Sequence, residues 1–150
     1  MNNLELKNRV HTAMYELIRE NGVASPVEVL MKIGVLSPEK YEDWRFGRNV
    51  PYLERVCQVN LSKLSTINCE IRVFAQKNNL KPSWTYYKQW GKNKKGNKKT
   101  VKLRFSKSGD KNVEKLYATH YISSRKVEEA NKQRKTSKDE EKLNIFDTIE

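Results

Sequence analysis

The sequence predicts a mostly helical α+β protein: a helical bundle-like body that carries a basic two-stranded β-hairpin. Apolar residues recur at helical spacing through most of the chain before Pro82. After Pro82 the period changes to two, and aromatic residues alternate along a predicted strand. From Ser123 onward the chain is mostly charged and too poor in apolar residues to fold independently. We therefore expect a single compact domain over residues 1–122 and a charged tail with a short apolar end over residues 123–150.

The predicted helices have recognisable start and stop residues. Gly22 follows the apolar stripe of the first helix and should end it. Ser25 and Ser37 are each followed by proline, a combination that favours the start of a helix. The predicted helices of the body span residues 4–20, 26–33, 38–46, 51–57 and 62–78, and a further helix spans residues 111–121.

The two short helices resemble a helix-turn-helix in outline, with a turn at Gly34 and a second helix that begins at Ser37. The resemblance departs from the usual pattern at Leu30, where a small residue is common. The presumed recognition helix also carries acidic residues, which phosphates would repel. We interpret these helices as scaffold, with Arg45 and Arg48 as auxiliary backbone contacts.

Positive charge is concentrated in one part of the chain. The 30 basic and 18 acidic side chains leave a net charge of +12. Residues 72–107 contain twelve basic side chains and no Asp or Glu, so the rest of the chain has 18 of each sign. Such asymmetry is typical of an electrostatic surface for an acidic partner.

The hairpin, expected over residues 83–106, holds most of this charge. Its second strand alternates an apolar face with outward Lys102 and Arg104, and its turn is rich in lysine. We predict nucleic-acid binding, to DNA or RNA, mainly through phosphates and with low sequence specificity, because lysine lacks the planar fork that recognises guanine. The predicted contact residues are Lys88, Lys92, Lys94, Lys95, Lys98, Lys99, Lys102, Arg104, Lys107 and Tyr87, and the auxiliary ones are Arg45, Arg48, Lys77 and Lys81.

Four aromatic side chains lie beside these lysines. Exposed rings next to cations stack unpaired bases in proteins that bind single strands. Because a protein of this size needs large rings for its core, we interpret Trp84 and Trp90 as packing residues. The roles of Tyr86 and Tyr87 stay open.

Other functional classes have less support. The two histidines, His11 and His120, stand alone, and no nucleophile elbow, phosphate loop or metal motif occurs. We therefore expect no enzyme activity, cofactor or metal site, and, without a membrane-spanning segment, a cytoplasmic location. The alternative is a protein-binding adaptor or inhibitor that docks the basic hairpin on an acidic or nucleic-acid-binding groove of a partner protein.

The apolar end of the tail is a second place where a protein partner is expected. Leu143, Ile145 and Phe146 regain apolar character after the charged stretch. The segment from Lys142 to Phe146 resembles the short peptide by which bacterial replication and repair proteins dock on the sliding clamp. It departs from that peptide at Lys142, where glutamine is usual, and at Ile145, where leucine is usual.

Overall fold

The computed structural model describes residues 2–92, 94–98 and 101–124. Lys99 and the tail from residue 125, with Leu143, Ile145 and Phe146, lie outside the described residues. The elements in chain order are α1 (Asn3–Asn21), β1 (Val23–Ala24), α2 (Pro26–Lys32), α3 (Pro38–Phe46), a 3-10 helix (Leu53–Val56), α4 (Leu61–Lys77), β2 (Lys81–Trp84), α5 (Lys111–Ala118) and β3 (Thr119–Ile122).

The prediction of a mostly helical α+β fold is confirmed, but the prediction of a two-stranded hairpin as its β structure is wrong. The described residues form one three-stranded antiparallel sheet in the order β1-β3-β2. Thr119–Ile122, expected as the end of the helix over residues 111–121, is the central strand of this sheet. Its β-branched and aromatic residues favour extended backbone, and pairing on both edges outweighs the helical spacing that predicted a longer helix.

β2 lies at an edge of the sheet and leads directly into the lysine-rich segment. Lys81 pairs with Ile122, and Trp84 pairs with Thr119. Pro82 is tolerated here because an edge strand has one side on which no backbone N–H donor is required. All four residues of β2 are exposed, so this strand brings Trp84 to the surface.

The predicted apolar stripes of α1 and α4 form one half of the core. Leu6, Val10 and Met14 of α1 are buried, as are Leu64 and Ile67 of α4. Asn2 and Asn60 cap these helices by accepting hydrogen bonds from backbone N–H groups of the first turn. Within the described residues, no helix is both long enough and apolar enough to cross a membrane.

An aromatic cluster forms the other half of the core. Trp44 of α3 is fully buried, and its ring centroid lies 5.6 Å from that of Tyr87 and 5.2 Å from that of Phe105. Phe105 stacks in turn on Tyr117 of α5 at 5.5 Å. The indole Nε1 of Trp44 donates a hydrogen bond of 2.9 Å to the carbonyl of Arg104. This cluster joins α3 and α5 to the lysine-rich segment.

The environment of His120 predicts a stability that falls in acid. Burial lowers the pKa of His120 from its ordinary 6.5, and Glu28 opposes this shift more weakly. The unfolded chain binds the proton on His120 more tightly than the folded protein does. The stability that depends on a neutral His120 is therefore fully present above about pH 6.5 and is lost as the pH falls through the folded-state pKa. Urea unfolding at about pH 7.5 and 5.5 should show this loss, and the variant His120→Asn should show less of it. If the free energy of unfolding fell equally with pH in the parent and in His120→Asn, His120 would not be the group responsible.

Candidate nucleic-acid interface

The lysine-rich segment, residues 85–107, forms what we call the basic arm. The Gln89 N–H donates to the Val101 carbonyl and the Leu103 N–H donates to the Tyr87 carbonyl, each at 2.8 Å. Two isolated antiparallel bridges, Lys88 with Lys102 and Lys92 with Lys98, share one register along the arm. The chain therefore doubles back on itself as a hairpin does, although these bridges do not extend into regular strands.

The basic arm has a buried face and an exposed face. Tyr87, Leu103 and Phe105 point into the core, whereas Tyr86 and the basic residues around it are exposed. Tyr87 was predicted as a contact residue, but only 8% of it is exposed and its hydroxyl lies 3.0 Å from Nε2 of His120. Burial raises the pKa of Tyr87 to about 12. Tyr87 packs in the core on the buried face of the arm, and its ring is not available for stacking.

Two carboxylates fasten the second half of the arm to the body. Glu114 of α5 accepts hydrogen bonds from the backbone N–H groups of Phe105 and Ser106, at 2.9 and 2.8 Å, and from the Ser106 hydroxyl at 2.7 Å. Glu54 accepts from the Lys107 N–H at 3.0 Å and from the Tyr117 hydroxyl at 2.8 Å. Both acids are thus occupied by the chain's own donors, and the lysine side chains remain outside these contacts.

Lysines oppose one another across the arm. The hydrogen-bond pattern makes Lys88 and Lys102 a non-hydrogen-bonded pair, in which the Cα atoms of antiparallel segments approach to about 4.5 Å. Lys92 and Lys98 form the second opposed pair. Like charges in such positions destabilise the pairing. Among the described residues, none of these four lysines forms an ion pair with a carboxylate, so no acid of that part of the chain relieves the repulsion.

The other predicted contact residues are also on the arm, and the described ones are exposed. Lys94, Lys95 and Lys98 lie at its tip, and Lys107 lies at its base. Lys99 is outside the described residues. The structure therefore brings the described ones of the predicted contact lysines together on one element.

The arginines are used differently from the lysines. Arg104 is exposed, but it donates through Nε to the Ser106 carbonyl and through a terminal nitrogen to the Lys107 carbonyl. Arg48 stacks on Phe46 and contacts Asp43 at 3.4 Å. The guanidinium group of each is already partly engaged within the protein.

The Arg45 side chain packs against aromatic rings of the protein itself. Its guanidinium carbon lies 5.1 Å from the Tyr87 ring centroid and 4.5 Å from that of Trp90. Its Nε is buried and has no hydrogen-bond partner among the described residues.

The auxiliary lysines, by contrast, are exposed. Lys77 ends α4 and Lys81 begins β2. Lys81 and Trp84 are three positions apart, a distance of about 10 Å along the strand.

The interpretation of Trp84 and Trp90 as packing residues is wrong for Trp84 and only partly right for Trp90. Trp84 is 49% exposed and Trp90 is 37% exposed, and the tryptophan that fills the core is Trp44. Trp84 is exposed because it ends an edge strand that is exposed throughout. Trp90 keeps edge-on contacts with Tyr41 and Phe46.

Trp84 and Tyr86 form an exposed aromatic pair at the base of the arm. Their ring centroids lie 4.4 Å apart, and the ring planes are inclined by 59°. The ammonium group of Lys102 lies 3.7 Å from the Tyr86 ring centroid, within the range of a cation–π contact. The pair stands at the point where β2 ends and the lysines begin.

A cleft of about 590 Å³ opens between this aromatic pair and α5. Leu103 and Phe105 contribute to its lining. Lys111 and Lys115 line it from α5, four residues apart and therefore on one face of the helix. Sequence reasoning missed these two lysines because it used only the apolar stripe of the helix, although their spacing was a readable signal.

Comparisons with protein-family models, with curated proteins and with solved structures gave no match. Within the described ranges, no group of three or more His, Cys, Asp or Glu residues is placed to hold a metal ion. The features that point to a function are the charge and geometry of the basic arm and of the cleft beside it.

Proposed function

We propose that this protein binds nucleic acid through the phosphate backbone, with the basic arm as the main contact surface and with low sequence specificity. The observation that carries the proposal is the pair of opposed lysine bridges, Lys88 with Lys102 and Lys92 with Lys98. A chain selected only for stability gains nothing from like charges placed opposite one another. A row of phosphates on a partner would relieve their repulsion.

The anchoring of the arm supports this proposal. Glu54 and Glu114 hold the backbone of residues 105–107, and Trp44 holds the carbonyl of Arg104. The contact surface is thus attached to the core through hydrogen bonds, three of which are partly buried. Attachment of this kind reduces the conformational entropy lost when a polyanion binds.

The different contacts of the lysines and the arginines favour low sequence specificity. Direct recognition of guanine in the major groove typically uses a free guanidinium fork. Arg104 donates to two backbone carbonyls, and Arg48 contacts Asp43. The groups left for a ligand are mainly ammonium groups, which contact phosphates as point charges.

The salt dependence of binding tests the proposal. If about six cations of the basic arm contact DNA phosphates, the slope of log K against log salt should be about −5, and affinity should fall roughly a thousandfold between 50 and 200 mM salt. Fluorescence anisotropy with labelled single-stranded and double-stranded oligonucleotides measures this slope. A protein that binds none of the probes, and instead forms a complex of fixed stoichiometry with one protein, would contradict the proposal and indicate an adaptor.

A further inference from the structure

We propose that the cleft between the Trp84–Tyr86 pair and α5 receives unpaired bases, so that the protein prefers single-stranded to double-stranded nucleic acid. This inference rests on the proposed function and adds the class of nucleic acid to it. It starts from an exposed aromatic pair, a cleft and a set of cations that adjoin one another at the base of the basic arm.

The aromatic pair has the properties of a stacking platform. Trp84 is 49% exposed and Tyr86 is 46% exposed, although large rings normally gain most by burial. Lys102 covers one face of Tyr86, which leaves Trp84 as the main surface on which a base can stack. The same ammonium group then lies beside the stacked base, where the adjoining phosphate has to pass.

The cleft has a suitable size and charge. Its volume of about 590 Å³ lies within the roughly 300–1,000 Å³ of small-ligand sites, so a base with its sugar can enter. Its basic lining residues are Lys102, Arg104, Lys111 and Lys115. The acid that lines it is Glu114, whose carboxylate accepts hydrogen bonds from Phe105 and Ser106. These donors are neutral, so Glu114 keeps its formal negative charge, and the four cations outnumber the one acid in the lining of the cleft.

A second cleft continues the path across α5. It has a volume of about 600 Å³ and shares Asn112 and Lys115 with the first cleft. Arg72 of α4 adds a further cation, and no acidic residue of the described ranges lines this second cleft. A single strand that stacks a base on Trp84 can thus pass Lys115 toward Arg72, with its phosphates near a cation at each stage.

The geometry favours a single strand because exposed aromatic rings line a concave surface. In a duplex each base is already stacked above and below, so Trp84 would have no free base face to meet. A flexible single strand can turn a base into the cleft while its backbone follows the lysines. The basic arm alone would bind both forms, and the aromatic pair adds the preference.

Three probes of equal length separate this inference from the proposed function: an oligodeoxythymidylate, an abasic single strand and a DNA duplex. We expect the variant Trp84→Ala to weaken binding of the oligodeoxythymidylate by roughly tenfold, the effect of losing one base-aromatic stack. Tyr86→Ala, which removes the ring that packs against Trp84, should weaken it by a smaller factor. Binding of the abasic strand and of the duplex should change less than about twofold. Tyr86→Phe, which keeps the ring, should bind the oligodeoxythymidylate like the parent.

The matched control is Tyr15→Ala, which removes an exposed ring from α1 and should leave binding to all three probes unchanged. In the parent protein, the oligodeoxythymidylate should quench tryptophan fluorescence more than the abasic strand does, a readout that requires no variant. Parental affinity of the Trp84→Ala and Tyr86→Ala variants for the oligodeoxythymidylate, or an equal loss on all three probes, would overturn the inference and leave salt-dependent binding intact. A parent that binds none of the probes would overturn the proposed function as well.

Discussion

The double variant Lys88→Glu/Lys98→Glu is expected to bind nucleic acid roughly a hundredfold more weakly than the parent at about 0.1 M salt. Each phosphate contact contributes about 0.9 to the salt slope, which corresponds to about eightfold in affinity at this salt concentration. The variant loses two such contacts and adds two negative charges to the binding surface. Fluorescence anisotropy should also show a salt slope smaller by about 2.

The same variant should be more stable than the parent, because each of the two introduced carboxylates lies opposite a lysine that remains, Lys102 in one pair and Lys92 in the other. Opposite charges directly across antiparallel segments contribute roughly 0.2–1 kcal/mol per pair, whereas like charges destabilise. We expect the free energy of unfolding, measured in urea, to rise by about 1 kcal/mol. An increase in stability together with a loss of affinity identifies residues that are kept for binding.

The control for net charge is Arg9→Glu/Arg19→Glu, which changes the charge by the same amount on exposed positions of α1. This control should lose much less affinity, because α1 contributes no residue to the basic arm or to the clefts beside Trp84. Equal loss in the two double variants would mean that binding follows total charge, and the basic arm would then have no special role.

Most of the α-helices could be predicted from the sequence because their signals are local, but the helix predicted over residues 51–57 forms only a 3-10 helix over Leu53–Val56. Ser25 and Ser37 start α2 and α3 as expected, and Gly22 and Gly47 end α1 and α3. The sheet could not be predicted in the same way. Its three strands are two to four residues long, and β3 pairs with strands from two separate parts of the chain. Spacing within a short window cannot show such pairing, since extended structure depends on its neighbours.

The candidate site was predictable in its charge and not in its aromatic residues. The lysines of residues 72–107 can be counted, and the structure places the described ones from 88 to 107 on one arm. Which rings are buried depends on competition for the core. Trp44 occupies the position that sequence reasoning gave to Trp84 and Trp90, and Tyr87 fills the space beneath the arm. The sequence does not show which rings are buried, because the burial of each ring depends on how the others pack.

The variant Glu114→Ala is expected to lower the free energy of unfolding by roughly 3 kcal/mol, since two buried N–H groups lose their acceptor at about 1–3 kcal/mol each. These groups belong to Phe105, which is 2% exposed, and Ser106, which is 1% exposed. The Ser106 hydroxyl loses its acceptor as well. Glu114→Gln should lose less, because the amide keeps one acceptor oxygen. Urea unfolding of the three proteins gives the comparison.

Glu42→Ala is the matched control, because Glu42 is exposed on α3 and its removal should change the free energy of unfolding by less than about 0.5 kcal/mol. If Glu114→Ala were as stable as this control, the carboxylate could not be what fastens the basic arm to α5. Binding measurements on Glu114→Gln separate the effect of Glu114 on stability from its effect on affinity. Because Glu114→Gln removes a negative charge from the cleft beside Trp84, its affinity for a single strand should rise even as its stability falls. An acid retained in a cationic cleft at some cost to affinity is explained by its structural task, which is to hold Phe105 and Ser106.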